Sequence, residues 1–248
     1  MSAIASNLAA IRERIATAAQ SVGRDPSSVC LIAVSKTFPL DAVRAAYEAG
    51  QRNFGENRVQ EALQKIERSA DLSIRWHLLG HLQTNKARKA AASFAVVQSV
   101  DSVDVLHKLD RAAEEAGCAL ELLIQVDLAG EATKFGVAPA DVPPLFEASA
   151  ACRAAKVIGL MTLPPLPETA EEARPWFRQL RELRDGWLAE GVPAAMLREL
   201  SMGMSSDFEV AIQEGATMVR VGTAIFGTRL QGPRLRPQAS ERSNGKDN

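Results

Sequence analysis

Short apolar runs alternate with amphipathic helical stripes from one end of this chain to the other, and that alternation restricts the fold to a parallel sheet with helical crossovers. The spacing predicts a first helix over residues 4–20, where Ile4, Leu8, Ile11 and Ile15 share one stripe. The run 29–34, ending at Ser35-Lys36-Thr37, suits a strand buried on both faces. Further strands are expected at 52–55, 74–79, 94–97, 120–128, 157–161, 197–202 and 217–221. The helices between them are expected at 41–47 (capped by Asp41), 58–68, 84–91, 102–117, 141–155, 169–190 and 207–214, with a helical turn around Ala224. Eight strands in about 230 residues fit a closed (β/α)8 TIM barrel with an extra N-terminal helix better than an open sheet. No linker divides residues 1–230, so one domain is expected there. Residues 231–248, QGPRLRPQASERSNGKDN, lack apolar periodicity and are expected to be a disordered tail.

Charge and cysteine usage exclude several function classes. The 29 Lys and Arg nearly balance the 30 Asp and Glu, giving a formal net charge of −1. That disfavours nucleic-acid binding driven by bulk charge and a polybasic membrane anchor. No apolar run approaches the length of a membrane span, and the N-terminal stretch lacks a signal-peptide core. Cys30, Cys118 and Cys152 are odd in number and far apart, as reduced and mostly buried thiols of a cytoplasmic protein would be.

In a barrel of this type the site is built at the C-terminal ends of the strands, and the residues costliest to bury fall there. Alternation sets Ile32, Val34 and Lys36 on one face, which aims the Lys36 ammonium at the barrel mouth. Such a lysine either snorkels to solvent or, desolvated, forms a Schiff base with an aldehyde. Asn57, after the second strand, can donate to a ligand oxygen or cap the next helix. His77 and His81 are four apart, but Gly80 and the strand end between them argue against a zinc site, and no metal is expected. The seventh strand opens into Ser201-Met202-Gly203-Met204-Ser205-Ser206-Asp207-Phe208-Glu209, in which Ser206 and Glu209 have the spacing of a capping box. The eighth opens into Gly222-Thr223-Ala224-Ile225-Phe226-Gly227. Two small-residue loops entering helices in consecutive units suit a phosphate. The stretch 222–229 lacks the lysine of a P-loop, which excludes that reading. Arg220 shares a face with Met218 and Gly222 and points inward, where it needs a partner, with Asp127 and Glu199 as candidate carboxylates. A reactive lysine, a phosphate cradle and an inward arginine together point to pyridoxal 5′-phosphate.

The motifs AVSKTFP, FGENRVQE, WHLLGHLQTNK, GLMTLPP and LSMGMSSDFEVAIQEGATMVRVGTAIFG resemble, in order and spacing, those of the pyridoxal-phosphate homeostasis proteins. These are single-domain relatives of the N-terminal barrel of alanine racemase. The resemblance, spanning residues 1–230, implies an alanine-racemase N-terminal-domain-like barrel. It implies that Lys36 holds the cofactor as a Schiff base and that Ser201, Gly203, Met204, Ser205, Gly222 and Thr223 surround the phosphate. Arg220 would face the pyridine nitrogen, and Asn57, His77 and Met161 would line the pocket. It also implies a role in buffering and delivering the cofactor, with balanced amino-acid and keto-acid pools, without robust catalysis. PLP-dependent apo-enzymes are the partners this implies, and a monomer is the expected state.

The residues agree with a carrier. Arg220 can only donate a hydrogen bond, so the ring nitrogen stays unprotonated and is a weaker electron sink. Two-base racemisation needs a second acid or base, which alanine racemases take from a tyrosine of a second domain. The one tyrosine here, Tyr47, lies on the first crossover helix. The rival readings are a weak PLP-dependent amino-acid racemase or decarboxylase, and a cofactor-free barrel that binds a sugar phosphate.

Overall fold

The structure is a computed structural model and describes residues 2–130 and 135–227. The expected tail at 231–248 lies outside the described residues. Eight parallel strands close on themselves in sequence order. They are β1 (Cys30–Val34), β2 (Asn53–Glu56), β3 (Arg75–Leu78), β4 (Val96–Val100), β5 (Leu120–Gln125), β6 (Ala155–Met161), β7 (Glu199–Ser201) and β8 (Met218–Val221). The helices are α1 (Ala3–Gln20), α2 (Leu40–Glu48), α3 (Val59–Arg68), α4 (Ala87–Ser93), α5 (Val103–Ala116), α6 (Pro143–Ser149), α7 (Arg174–Ala189), α8 (Phe208–Gln213) and α9 (Thr223–Phe226). The (β/α)8 barrel with an extra first helix is therefore the observed architecture.

Two cores follow from the period-two alternation of the strands. Residues pointing outward, such as Leu31, Ala33, Phe54, Trp76, Leu122 and Leu160, pack against the helices. Residues pointing inward, among them Ile32, Val96, Leu123, Ile158, Met161 and Met218, fill the barrel. The register sets Gly55 beside His77 and Ile32 beside Arg220. At Gly159 a Cβ would lie 2.0 Å from the Glu199 carbonyl oxygen, so β6 and β7 approach at a distance that glycine alone allows.

Local chemistry sets the element ends, and several depart from expectation. Ser102 accepts from the Val105 amide at 3.3 Å, and Gly117 ends α5 at a φ of 65°. Asp41 sits in the first turn of α2, and Pro39 is the capping residue, without a side-chain bond. Helix α6 stops at Ser149, short of the expected 155. The Asp110 carboxylate explains this: its Oδ1 accepts from the amides of Arg153, Ala154 and Ala155 at 3.0, 2.8 and 2.8 Å and leads the chain into β6. Strand β5 ends at Gln125 because Asp127 turns the chain, its Oδ1 accepting from the amides of Ala129 and Gly130 at 3.1 Å each. Strand β4 runs to Val100, past the expected end at Val97. Gln98 and Ser99 break the apolar run, yet both are buried.

Opposite ends of the barrel differ in kind. At the N-terminal ends of the strands Arg75 and Arg198 both pair with Glu121, and Arg198 also pairs with Glu199 at 3.1 Å. Thr217 joins this set by donating to Glu199 at 2.6 Å. The C-terminal ends carry the loops that form the mouth.

Candidate functional site

Lys36 stands two residues beyond β1, half-buried, in a turn closed by the Phe38 amide donating to the Ser35 carbonyl at 3.1 Å. The next residue, Thr37, has a φ of 67° and is the one positive-φ residue other than glycine among the described residues. Ser35 is anchored from outside the sheet. Its hydroxyl donates to Glu56 Oε1 at 2.6 Å, and Lys65 Nζ donates to that same oxygen and to the Ser35 carbonyl, each at 2.7 Å. Glu56 is fully buried, and its Oε2 has no partner among the described residues. No sequence pattern singles out Glu56 or Lys65, since Glu56 ends β2 facing the helix layer and Lys65 reaches it from α3.

Inside the barrel, polar side chains from five strands form one chain. Arg220 Nη1 donates to Ser201 Oγ at 2.7 Å, and Nη2 donates to the Thr162 carbonyl at 2.8 Å. Ser201 donates to Gln98 Oε1 at 2.7 Å. Gln98 Nε2 lies 3.1 Å from His77 Nδ1, and His77 Nε2 lies 3.1 Å from Asn53 Oδ1. Burial holds His77 down at about 3, with Arg75 a lesser cause, so the ring is neutral. Both of its nitrogens are engaged within the protein, and it offers a ligand its ring face alone. Burial also lowers Arg220 to about 10, against the pull of Asp207, which leaves it charged at neutral pH. Neither Asp127 nor Glu199 receives its hydrogen bonds.

The loops after β7 and β8 are joined. Gly203, at a φ of 92°, accepts from the Arg220 amide at 3.0 Å, and the Gly222 amide donates to Ser205 Oγ at 3.3 Å. A Cβ on Gly203 would lie 2.5 Å from that of Ala211, and one on Gly222 would lie 3.2 Å from the Val34 carbonyl oxygen. Met204 and Ser205 are half-buried and Thr223 is exposed. The expected capping box is absent: Asp207 precedes α8, and Glu209 pairs with Arg14. Asp207 is fully buried, with Oδ1 accepting from the Met204 amide at 2.6 Å and Oδ2 without a partner among the described residues. Burial pushes its carboxyl up, while the Met204 amide and Arg220 pull the other way.

Asn57 leads out of β2, half-buried, and does not cap α3, which starts at Val59 after Arg58. Its carbonyl oxygen would lie 2.1 Å from a Cβ on Gly80, so the loops after β2 and β3 are in backbone contact. Met161 is fully buried in the barrel interior. His81 stands at the rim, 3.0 Å from Asp101 Oδ2 and stacked on Phe135. Among the described residues no three His, Cys, Asp or Glu side chains converge as metal ligands. Cys30, Cys118 and Cys152 are free and half-buried, and burial raises the thiols of Cys30 and Cys152 to about 11.

A closed (β/α)8 barrel with a lysine past β1 and interlocked glycine loops past β7 and β8 defines a class. The family described as alanine racemase, N-terminal domain, matches residues 6–230. Proteins called pyridoxal phosphate homeostasis protein are similar along nearly the whole chain. That of Aquifex aeolicus is 44% identical over 222 residues, covering 90% of this chain and 96% of the relative. That of Pseudomonas aeruginosa is 46% identical over 233 residues, covering 94% and 98%. The solved structure of PipY from Synechococcus elongatus with PLP bound superposes at a TM-score of 0.80 with 45% identity, covering 90% of this chain and all of that one. The chain belongs to the family of pyridoxal phosphate homeostasis proteins.

Proposed function

We propose that the barrel mouth binds pyridoxal 5′-phosphate and that the protein buffers and delivers this cofactor, which keeps amino-acid and keto-acid pools in balance. One observation carries the reading. Lys36 leaves β1 beside β8, the strand that holds Arg220, and the two loops joined by Gly222 and Ser205 open at the same seam. An amine, a guanidinium and a pair of loops rich in amides and hydroxyls match the aldehyde, the ring nitrogen and the phosphate of one molecule. The names of the relatives and the PLP in the PipY structure support the assignment.

Bound pyridoxal phosphate would supply an aldehyde to the Lys36 amine, a phosphate dianion and a pyridine ring. The chain's own residues then divide the work. Ser205, Gly222 and Thr223, with the backbone of Gly203 and Met204, would hold the phosphate, and glycine at 203 and 222 lets these loops pack closely on α8 and β1. Asn57, Met161 and the face of His77 would wall the ring, and Ser201 would reach it through Arg220. Arg220 keeps its charge at neutral pH and has no acceptor atom, so it can only donate to the ring nitrogen. Tyr47 lies on α2, its hydroxyl accepting from the Ser73 amide at 3.2 Å and its ring under Arg52, and it takes no part at the mouth. Both features favour a carrier over a racemase. Among the described residues no helix is long and apolar enough to cross a membrane. Action in the cytoplasm as a monomer, with PLP-dependent apo-enzymes as recipients, completes the proposal.

The test is to load the protein with pyridoxal phosphate, reduce it with borohydride and map the modified peptide. A pyridoxyl group on Lys36 is the expected result, and modification confined to another lysine such as Lys86 would overturn the site. Holo-protein incubated with single-enantiomer amino acids should keep their optical purity. Turnover of about 1 s⁻¹ or faster would establish an enzyme instead.

A further inference from the structure

The directions of the interior hydrogen bonds follow from one fact, that Arg220 cannot accept. Ser201 Oγ must therefore accept from Nη1, and its single hydrogen goes to Gln98 Oε1 at 2.7 Å. That fixes the Gln98 amide, whose nitrogen faces His77 Nδ1 at 3.1 Å and Met218 Sδ at 3.7 Å. Nδ1 must then be the bare nitrogen, and the ring proton sits on Nε2, where Asn53 Oδ1 accepts it at 3.1 Å. Rotating the Gln98 amide would set a donor against the Ser201 hydroxyl and a carbonyl against Nδ1. The His77 ring could answer that carbonyl by moving its proton to Nδ1, but the hydrogen of the fully buried Ser201 hydroxyl would be left without an acceptor.

We propose that Gln98 is a positioning residue for cofactor binding: through Ser201 it locks the guanidinium of Arg220, and through His77 it fastens that lock to the opposite wall of the barrel. Two of the five N–H groups of Arg220 are committed to Ser201 and Thr162, and Gln98 decides the first of them. With Ser201 held, the guanidinium plane is fixed and its other donors meet the ring nitrogen in one orientation. With Gln98 removed, the Ser201 hydroxyl rotates, Arg220 gains a second arrangement, and the donor facing the ring is no longer fixed. The cofactor part of this inference rests on the function proposed above, and the tautomer part does not.

The first readout needs no cofactor. Nitrogen-15 spectra of the wild-type protein should show His77 neutral and protonated at Nε2 between pH 5 and 8, and a proton on Nδ1 would overturn the chain. Gln98→Glu keeps an acceptor for Ser201 but cannot donate to His77, so His77 should take a proton on Nδ1; an unmoved His77 would also overturn it. The second readout uses the loaded protein. Gln98→Met, of similar size, should bind pyridoxal phosphate about tenfold more weakly and shift the pH profile of the bound cofactor's absorption band. A Gln98→Met protein of lowered melting temperature but unchanged band and affinity would reduce Gln98 to a packing residue. Wild-type protein that takes up no pyridoxal phosphate would sink the function proposed above and with it the cofactor half of this inference, while the His77 spectra would still decide the chain.

Discussion

At Thr37 a β-branched side chain sits at a φ of 67°, a region in which such residues cost about 1–3 kcal/mol. Thr37→Gly should remove that cost and lose part of the gain to chain entropy. A net stabilisation of about 1 kcal/mol in urea unfolding is expected. Two buried groups nearby carry opposite pH signs. His77 is held at about 3, below its unfolded value near 6.5. The unfolded chain therefore takes up a proton that the folded chain refuses, and stability is lost as pH falls from 6.5 toward 3. In urea titrations between pH 4 and 6 the pH slope of His77→Gln should be shallower than wild type by up to ~1.4 kcal/mol per pH unit. Asp207 is raised instead, so stability is lost as pH rises from its unfolded value through its folded one. Asp207→Asn keeps an acceptor for the Met204 amide and should be more stable than wild type at pH 7, an advantage that shrinks on acidification.

Between elements, close backbone approaches connect loops that the sequence keeps far apart. Gly80→Ala would set a Cβ against the Asn57 carbonyl oxygen and push the loop after β2 away from the mouth. The expected result is weaker uptake of pyridoxal phosphate by a protein whose circular dichroism spectrum remains that of a barrel. On the outer layer Glu214, almost wholly buried, receives Arg174, Arg178 and Arg181 from α7 at 3.0, 3.1 and 2.9 Å. Glu214→Ala removes the carboxylate that these partly exposed guanidinia share and should cost about 1 kcal/mol. The elements were largely legible in the sequence, because strands such as β1, β5 and β6 each carry their own apolar run. The fourth misled because Gln98 and Ser99 look like loop residues, whereas Gln98 shares the inward face of Val96. Lys36, Arg220 and the two glycine loops could be read because each ends a strand or faces the barrel at a computable parity. Glu56, Lys65 and Asp207 could not, since their importance lies in contacts made across the outer layer and between loops. No periodicity records such contacts.

Across the whole molecule, the barrel is pinned shut at one end by the Arg75, Glu121, Arg198 and Glu199 ion pairs and open at the other. The first helix and the turn after it pack against α8 and α9. Asn7 donates to the Ile225 carbonyl at 2.9 Å, Arg14 pairs with Glu209, and Arg24 donates to the Ile212 carbonyl at 2.8 Å. These contacts join residues 7–24 to residues 209–225. Lys36 and the loops at 203–205 and 222–223, with which it would share a ligand, are at least 167 residues apart in sequence. A fragment cut between Lys36 and Gly203 would therefore hold the lysine without the loops. Uptake of a ligand there would need both stretches in place at once, held where residues 7–24 meet residues 209–225.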